Sequence, residues 1–289
     1  MKKMLITGAN GQLGNEIRTL TKKYSNFDFI FTDVAELDIC DANAVECFVK
    51  DINPDYIINC AAYTDVDKAE SDIDKCRKIN RDAVANLANA SNLCNAKMIH
   101  VSTDYVYSGT SSRPYTETDL TAPVSIYGIT KLEGENILFE NNPQSIVIRT
   151  AWLYSEFGNN FVKTMIRLGK EKESLGVIFD QIGTPTYALD LADTILKIAD
   201  SENFIPGIYN FTNEGVCCWY DFALKIHELA GITNCHVNPI ETSQYPTPAT
   251  RPAYSVLNKK KIKDQYNISI PHWEYSLKLC VNNLLKDSL

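Results

Sequence analysis

A short apolar segment followed at once by a glycine-rich turn opens the chain. Met4-Leu5-Ile6-Thr7 predicts a buried β-strand, and Gly8-Ala9-Asn10-Gly11-Gln12-Leu13-Gly14 connects it to a helix predicted over residues 12–24. The glycines are three residues apart, which differs from the GxGxxG spacing. They meet the same requirement, because they let the backbone approach a pyrophosphate while helix amides face its charge. This pattern predicts a dinucleotide site.

Strands and helices alternate through residues 1–150. Further apolar strands are predicted over 27–32, 56–60, 97–101 and 145–150, and helices over 42–50, 73–95 and 127–141. Such alternation indicates a parallel sheet with right-handed crossovers, in which ligands bind at the carboxyl ends of the strands. Four such ends carry Thr7, Asp33, Cys60 and Thr103. The predicted fold class is α/β, a Rossmann-type doubly wound parallel sheet with a smaller C-terminal α/β substrate domain.

The second half of the chain contains shorter predicted elements and one stiff loop. Helices are predicted over 160–170, 190–198, 220–230 and 273–286. The segment 245–252 is too rich in proline for a helix or a central strand, and its single cation, Arg251, suits a phosphate-bearing substrate, although most such arginines are plain surface residues. We divide the chain into a dinucleotide-binding domain, 1–150, to which 186–212 returns, and a region, 151–289, that is mainly a substrate domain.

Composition excludes several classes of partner. The formal net charge of -8 argues against nucleic acid and anionic membranes, because both reward a basic surface. No apolar run approaches the roughly 18 residues of a membrane span. The nine cysteines include no CxxC pair and the four histidines no HExxH spacing, so we expect reduced thiols and no structural metal. Since Met1-Lys2-Lys3 runs directly into a strand without a signal peptide, we expect a cytoplasmic protein with a small-molecule substrate.

Acidic and small side chains follow the second and third strands. Asp33 comes 19 residues after Gly14, where a carboxylate suits the hydroxyls of an adenosine ribose and repels a 2′-phosphate. Asp33 therefore favours NADH, unless it only caps a loop. Asp38 and Ile39 are candidates for contacts with the adenine, and the segment 61–64 for close approach of the backbone to a cofactor.

Tyr127 and Lys131 are four residues apart on a predicted helix, so their side chains point the same way. An ammonium close to the phenol is expected to lower the pKa of Tyr127 from about 10, which makes it a proton donor at neutral pH. The hydroxyl of Thr103 follows the strand 97–101 and supplies a second donor to a carbonyl oxygen. These residues predict a carbonyl-reducing site, although tyrosine and lysine at this spacing are also common on solvated helix faces.

With these segments placed, the chain resembles the extended short-chain dehydrogenase/reductases and, among them, the family of the dTDP-4-dehydrorhamnose reductases. The Tyr127 and Lys131 pair is typical of the whole superfamily, and the other segments together are more specific. The matching segments are Gly8 to Gly14, Asn59 to Glu70, Ser102 to Gly109, Tyr127 to Lys131, Arg149 to Tyr154, Gly158 to Phe161, and Arg251-Pro252.

The resemblance implies reduction of the C4 ketone of dTDP-4-dehydro-6-deoxy-L-mannose to dTDP-L-rhamnose, for surface polysaccharide, with hydride from NADPH or NADH. It implies that Tyr127 gives the proton, that Lys131 lowers its pKa and holds the nicotinamide ribose, and that Thr103 hydrogen-bonds the same oxygen. With Arg251 from the stiff loop, the candidate substrate residues are Thr103, Asp104, Tyr105, Trp152 and Arg251. The candidate cofactor residues are Gly8, Asn10, Gly11, Gln12, Leu13, Gly14, Asp33, Asp38, Ile39, Ala61, Ala62, Tyr63, Thr64, Tyr127 and Lys131.

Tyr105 separates this chemistry from a related one. Sugar-nucleotide 4,6-dehydratases of the superfamily have an acidic residue after the Thr-Asp pair, and Tyr105 stands there instead, which favours ketone reduction over elimination of water. Members of the family are often described with NADPH, commonly form dimers, and in some cases carry magnesium at a dimer contact. We expect a homodimer and leave magnesium unassigned, because no carboxylates here match its ligands. Two alternatives stay open: another sugar-nucleotide reductase or epimerase, and a non-catalytic regulatory subunit of methionine adenosyltransferase.

Overall fold

The structure, a computed structural model, describes residues 1–286. The strands in chain order are β1 (Lys2–Thr7), β2 (Phe27–Thr32), β3 (Tyr56–Asn59), β4 (Lys97–Thr103), β5 (Ile146–Thr150), β6 (Leu153–Tyr154), β7 (Ser174–Ile178), β8 (Ile182–Gly183), β9 (Thr186–Tyr187), β10 (Gly207–Asn210), β11 (Cys217–Cys218) and β12 (His236–Ile240). The helices are α1 (Gln12–Thr19), α2 (Ala42–Ile52), α3 (Val66–Ala69), α4 (Ile73–Arg77), α5 (Ala83–Leu93), α6 (Ile126–Asn141), α7 (Phe161–Glu171), α8 (Ala188–Asp200), α9 (Trp219–Leu229), α10 (Lys260–Tyr266) and α11 (Trp273–Lys286). Among these helices, all within residues 1–286, none is long and apolar enough to cross a membrane.

A six-stranded parallel sheet with the order β10-β5-β4-β3-β1-β2 forms the main layer. Every residue of β3 and of β5 is buried, as expected of central strands that are covered on both faces. The register aligns the carboxyl ends of neighbouring strands, since Thr7 pairs with Asn59 and Thr103 pairs with Thr150. Polar groups from several strands therefore meet at one edge of the sheet.

Helices cover both faces of this sheet, which confirms the predicted doubly wound α/β fold. On one face, α1 and α8 pack Ile17 and Ile195 into a core with Met4. On the other face, α2 and α5 pack Val49 and Leu87 into a core with Leu5. Met4 and Leu5 are adjacent in β1 and point to opposite faces, as the pleat requires.

The rest of the chain forms a smaller α/β region. β7 and β12 pair in parallel, and α7, α9 and α11 bury Val162, Phe222 and Leu277 in a separate core. Two elements from this half belong to the main sheet and to the helices that cover it. β10 pairs with β5, and α8 packs beside α1.

The helix predicted over 12–24 is shorter in the structure. α1 ends at Thr19, and the Tyr24 hydroxyl donates to the Asp193 carboxylate of α8 at 2.8 Å. A tertiary contact therefore takes Tyr24 out of the helical path that its local pattern predicts.

A π-helical turn, Lys78–Asp82, interrupts the helix predicted over 73–95. The side chain of Asn80 in this turn accepts from the backbone amide of Tyr63 at 2.8 Å and donates to its carbonyl at 3.2 Å. π-Helical turns are frequent at functional sites. This one fixes the segment after β3 that the sequence predicts beside a cofactor.

Candidate functional site

The glycine-rich turn after β1 is shaped by contacts that exclude larger side chains. Gly8 has a φ of +64°, and a Cβ there would lie 2.6 Å from the amide nitrogen of Ala61. A Cβ on Gly14 would lie 2.5 Å from the Cα of Ala9. Gly11 caps α1, and within the described part of the chain no side chain accepts from the amides of the first turn at this cap. These features fit a pyrophosphate bound at the start of α1.

Asp33 lies at the end of β2 beside this turn. Its carboxylate accepts from the amide of Asn10 at 2.9 Å and from the amide of Val34 at 2.8 Å. Glu36 accepts from the Asp33 amide at 2.9 Å, which places a second carboxylate at this edge. Asp33 thus shapes the glycine-rich turn, and its carboxylate lies close to that of Glu36.

Two cofactor candidates at the start of α1 have different surroundings. Leu13 is buried in the core under the sheet, so its backbone rather than its side chain faces the turn. Gln12 donates to the Leu153 carbonyl at 3.4 Å and accepts from the Asn160 side chain at 3.0 Å. Gln12 therefore ties the glycine-rich turn to the segment that follows β5.

The remaining cofactor candidates follow β2 and β3. The Asp38 carboxylate accepts from the Cys40 amide at 2.9 Å, and Ile39 is buried in the core beside α2 and α5. Ala62 is partly buried and Thr64 is exposed, on either side of the Tyr63 backbone that Asn80 holds. All of these groups lie towards the same edge of the sheet as the glycine-rich turn.

Thr103 and Tyr127 meet at the carboxyl end of β4. Ser125 caps α6 by accepting from the Gly128 amide at 3.2 Å, which places Tyr127 in the first turn of that helix. The backbone amide of Tyr105 donates to the Thr103 hydroxyl at 3.2 Å. The ring of Tyr105 meets the Tyr127 ring edge-on, with 5.5 Å between the centroids.

Lys131 follows one turn after Tyr127, but its side chain is directed at β4. Its Nζ donates to the Val101 carbonyl at 2.7 Å and lies 3.2 Å from Nε2 of His100. Burial lowers the pKa of Lys131 to about 8.

Burial also raises the pKa of Tyr127 above its usual range, and the interaction with Thr103 opposes that rise. The predicted lowering of the Tyr127 pKa by an adjacent ammonium is therefore wrong for this arrangement, in which desolvation dominates.

The polar residues behind Lys131 were missed by sequence reasoning. His100 is fully buried in β4, and its Nδ1 lies 3.0 Å from Nδ2 of Asn59. Oδ1 of Asn59 accepts from the Thr7 hydroxyl at 2.8 Å and from the Ala61 amide at 3.1 Å. A histidine inside an otherwise apolar strand was the available signal.

A buried ion pair that the sequence did not predict joins α6 to β4 and β5. The Arg149 guanidinium donates to both carboxylate oxygens of Glu135, at 2.5 and 2.9 Å for the shortest contact to each. Ser102 donates to Glu135 at 2.5 Å, and Arg149 donates to the Tyr107 hydroxyl at 2.7 Å. An arginine within a strand of apolar residues was the signal that a buried carboxylate had to be nearby.

Trp152, a candidate substrate residue, follows β5 in a left-handed backbone conformation with a φ of +49°. Its ring stacks on that of Trp219, with 3.5 Å between the centroids. A Cβ on Gly183 would lie 2.7 Å from the Trp152 ring, so β8 also packs closely against the indole. The indole is therefore held rigidly beside the site.

Arg251 is neither a free cation nor a plain surface residue. Its Nη1 and Nη2 donate to the two carboxylate oxygens of Asp67 at 3.0 and 2.7 Å. The amide of Ala249 also donates to Asp67, at 3.2 Å. The Arg251 charge lowers the pKa of Tyr105, although burial raises that pKa overall. The stiff loop therefore borders the side chains that surround Tyr127.

Asp104 is the one carboxylic acid among the candidate substrate residues, and it is buried. Its carboxylate accepts from the Thr103 hydroxyl at 3.0 Å. Burial raises the pKa of Asp104 to about 6, against the effect of interactions with Ser255 and Thr103. The structure thus brings the predicted proton donors, an acid and two aromatic rings to one edge of the sheet, next to a turn that fits a dinucleotide.

The described residues offer no group of three or more His, Cys, Asp or Glu side chains that could hold a metal ion. Magnesium has no ligand set in residues 1–286, and we assign none.

Comparisons with known proteins find relatives along nearly the whole chain. The family model described as the RmlD substrate binding domain matches residues 1–286. The dTDP-4-dehydrorhamnose reductase of Aggregatibacter actinomycetemcomitans is 42% identical over 287 residues, which cover 96% of this chain and 98% of that protein. The protein of the same name from Escherichia coli K12 is 40% identical over 293 residues, which cover 97% of each.

Solved structures are equally similar. A dTDP-4-dehydrorhamnose reductase from Clostridium acetobutylicum matches with a TM-score of 0.94 and 46% identity, over 98% of this chain and 99% of that one. The reductase of Bacillus anthracis, in complex with NADP, matches with a TM-score of 0.94 and 40% identity, over 98% and 100%. The agreement extends through the six-stranded sheet and the smaller C-terminal region.

Proposed function

This chain belongs to the family of the dTDP-4-dehydrorhamnose reductases, and we propose how its residues reduce the C4 ketone of dTDP-4-dehydro-6-deoxy-L-mannose to give dTDP-L-rhamnose. The chain is an NAD(P)H-dependent oxidoreductase of dTDP-L-rhamnose biosynthesis, as predicted. This assignment favours the reductase over the epimerase and over the regulatory subunit.

The observation that supports the proposed residue roles is the contact at the end of β4 in which Tyr105 donates its amide to the Thr103 hydroxyl at 3.2 Å and packs its ring edge-on against Tyr127. The reduced nicotinamide supplies the hydride when it is bound. The Tyr127 phenol gives its proton to the C4 oxygen. The Thr103 hydroxyl, which donates to Asp104 in this structure, turns its hydrogen to the same C4 oxygen when the sugar is bound. The raised pKa of Tyr127 keeps the phenol protonated until the developing alkoxide draws the proton.

The cofactor is proposed to lie along the carboxyl edge from the glycine-rich turn to α6. The shape of the turn at Gly8, Gly11 and Gly14 supports this placement. Lys131 reaches the nicotinamide ribose by turning away from β4. The further residues proposed to contact the cofactor are Asn10, Gln12, Leu13, Asp33, Asp38, Ile39, Ala61, Ala62, Tyr63, Thr64 and Tyr127.

We propose that both reduced cofactors support turnover and that NADH is favoured. The relative from Bacillus anthracis binds NADP. The carboxylates of Asp33 and Glu36 lie at the end of β2, where we propose that the adenosine ribose binds. Their repulsion weakens NADPH relative to NADH. The KM values of the two cofactors, measured side by side, test this order.

The nucleotide sugar is proposed to bind between the end of β4, the Trp152 indole and the stiff loop. Asp104 and Tyr105 lie at its sugar end, next to Tyr127. Arg251 still has N–H groups beyond those that donate to Asp67, and these suit a phosphate oxygen.

We also propose that the chain divides into two domains between residues 150 and 151, with 186–212 returning to the first domain. We further propose that the protein is a homodimer and that it is located in the cytoplasm. A monomer mass in light scattering would refute the dimer.

Absorbance of reduced nicotinamide, with the 4-keto-L-rhamnose nucleotide generated in situ, tests the reaction. We expect decay with the unmodified protein and a rate lower by about 10²-fold or more for Tyr127→Phe. Tyr275→Phe, on the exposed face of α11, is the matched control and keeps its rate. The absence of decay with either cofactor would contradict the proposal, and NMR of the product distinguishes rhamnose from another C4 stereoisomer.

A further inference from the structure

Hydrogen bonds connect the backbone of Ala61 to the Nζ of Lys131 through two buried side chains. The Ala61 amide donates to Oδ1 of Asn59 at 3.1 Å, and Nδ2 of Asn59 lies 3.0 Å from Nδ1 of His100. Nε2 of His100 lies 3.2 Å from Nζ of Lys131. Asn59 and His100 are 0% exposed and Lys131 is 1% exposed. Bulk water therefore does not reach these hydrogen bonds, so each donor among them needs an acceptor on the neighbouring side chain.

The direction of each hydrogen bond follows from the backbone amide. This amide can only donate, so Asn59 presents its carbonyl oxygen to Ala61 and its NH₂ group to His100. Nδ1 of His100 must then accept. A neutral imidazole with an accepting Nδ1 carries its hydrogen on Nε2, and this hydrogen points at Lys131.

An ammonium group has three N–H bonds and no lone pair, so it cannot accept from Nε2 of His100. A neutral amine can accept there and still donate to the Val101 carbonyl, 2.7 Å away. A flipped Asn59 amide or the other imidazole tautomer would only move the clash of two donors to Ala61 or to Asn59. We propose that His100, oriented by Asn59, is a positioning residue that holds Lys131 as a neutral amine in the cofactor-free site.

Two other titratable groups lie near Lys131, Cys76 and Glu135, and negative charge on either acts to raise the Lys131 pKa, an effect smaller than the lowering by burial. The Cys76 thiol on α4 has a pKa raised by burial, so it brings no negative charge. Glu135, one turn further along α6, is paired with Arg149 of β5. Burial lowers the pKa of His100 well below its usual range, which keeps the imidazole neutral.

Cofactor binding is then coupled to protonation. When Lys131 turns from His100 to the ribose hydroxyls, its lone pair loses the Nε2 donor and the amine takes up a proton. This coupling rests on the proposed function, because it requires Lys131 to contact the cofactor. The assignment of the His100 tautomer does not depend on that contact. The two parts therefore have separate tests.

Imidazole ¹⁵N chemical shifts of the cofactor-free protein at pH 9, above the Lys131 pKa of about 8, test the tautomer without any measurement of activity. The His100 signals are identified by elimination with His227→Gln, His236→Gln and His272→Gln, so the identification does not depend on a His100 variant that folds. We expect hydrogen on Nε2 and an unprotonated Nδ1. Hydrogen on Nδ1, or on both nitrogens, would overturn the proposal.

The dissociation constant of NADH, followed by fluorescence between pH 7 and pH 9, tests the coupling. With a Lys131 pKa of about 8, uptake of one proton weakens binding roughly tenfold over this range. His100→Gln should reduce the change to about twofold or less, because a glutamine amide can turn its oxygen to an ammonium. His227→Gln, buried elsewhere against the Met165 carbonyl, should keep the tenfold change. An unchanged dependence in His100→Gln would refute the coupling, and a protein that binds no NADH at any pH would refute the proposed function itself.

Discussion

Arg251 and Asp67 are 184 residues apart in the chain and form a two-point ion pair with contacts of 3.0 and 2.7 Å. The pair attaches the stiff loop, residues 245–252, to α3, which follows the segment after β3. The two side chains are 24% and 36% exposed, and ion pairs with this much solvent contact add little to stability. The contact is therefore expected to act on the position of the loop.

Asp67→Asn tests that expectation. Loss of the carboxylate frees the loop that carries Arg251, so we expect the KM for the nucleotide sugar to rise by about tenfold, equivalent to about 1.4 kcal/mol. The dissociation constant of NADH and the midpoint of urea unfolding should change little. Glu171→Gln, which breaks the exposed pair with Arg167, is the control. An unchanged KM for the sugar in Asp67→Asn would exclude the loop from substrate binding.

Glu135→Gln is expected to destabilise the fold strongly. Arg149 is 2% exposed and Glu135 is 1% exposed, so the variant leaves a buried guanidinium without its counter-charge, at a cost of about 3–5 kcal/mol. The free energy of unfolding in urea measures this cost. Glu133→Gln on the same helix breaks the partly exposed pair with Arg77 and should cost about 1 kcal/mol or less. Equal losses in both variants would show that burial is not what makes the first pair important.

The fold and part of the site could be predicted from local patterns. Apolar strands alternating with helices indicate the parallel sheet, and the sheet then places Thr103 at its carboxyl edge, near the first turn of α6. These features depend on neighbouring residues in the chain. The direction of the Lys131 side chain does not, because it depends on His100 and the Val101 carbonyl across a buried interface.

Long-range pairings account for most of what the sequence did not show. The ion pairs of Glu135 with Arg149 and of Asp67 with Arg251 join segments whose proximity no local periodicity encodes. The effect of burial on the Tyr127 pKa is of the same kind, since the desolvation that raises it comes from the packed site and not from the spacing to Lys131. The sequence shows which positions carry an ionisable group. The burial that shifts the pKa of that group is known only once the fold is known.

Asp33→Asn should shift cofactor preference towards NADPH. The change removes one of the two charges that we propose to repel a 2′-phosphate, so we expect the ratio of kcat/KM for NADPH to that for NADH to rise by about tenfold. The ratio is the informative quantity, because asparagine accepts only one of the two amides that Asp33 holds and both KM values can rise. Glu46→Gln, in an exposed pair with Lys50 on α2, should leave the ratio unchanged. A constant ratio in Asp33→Asn would remove this residue from cofactor discrimination.

Asp104→Asn should change how stability depends on pH. The folded-state pKa of Asp104 is about 6, above the value of about 3.9 for an unfolded aspartate. The native state therefore holds this proton more tightly, and the unmodified protein loses the associated stability as the pH rises from 4 through 6. Asparagine mimics the protonated acid at every pH. The free energy of unfolding of Asp104→Asn, relative to the unmodified protein, should rise by about 2–3 kcal/mol between pH 4 and pH 7.

Urea unfolding at a series of pH values measures this difference, and taking the difference cancels the other carboxyl groups. Asp28→Asn, at an exposed position of β2, is the control and should give a flat line. A flat line for Asp104→Asn as well would mean that the Asp104 carboxyl is solvated like an unfolded one. The acid beside Thr103 would then be charged at every pH at which the reductase is assayed, and it would meet the sugar as an acceptor of hydrogen bonds rather than as a group that titrates near pH 6.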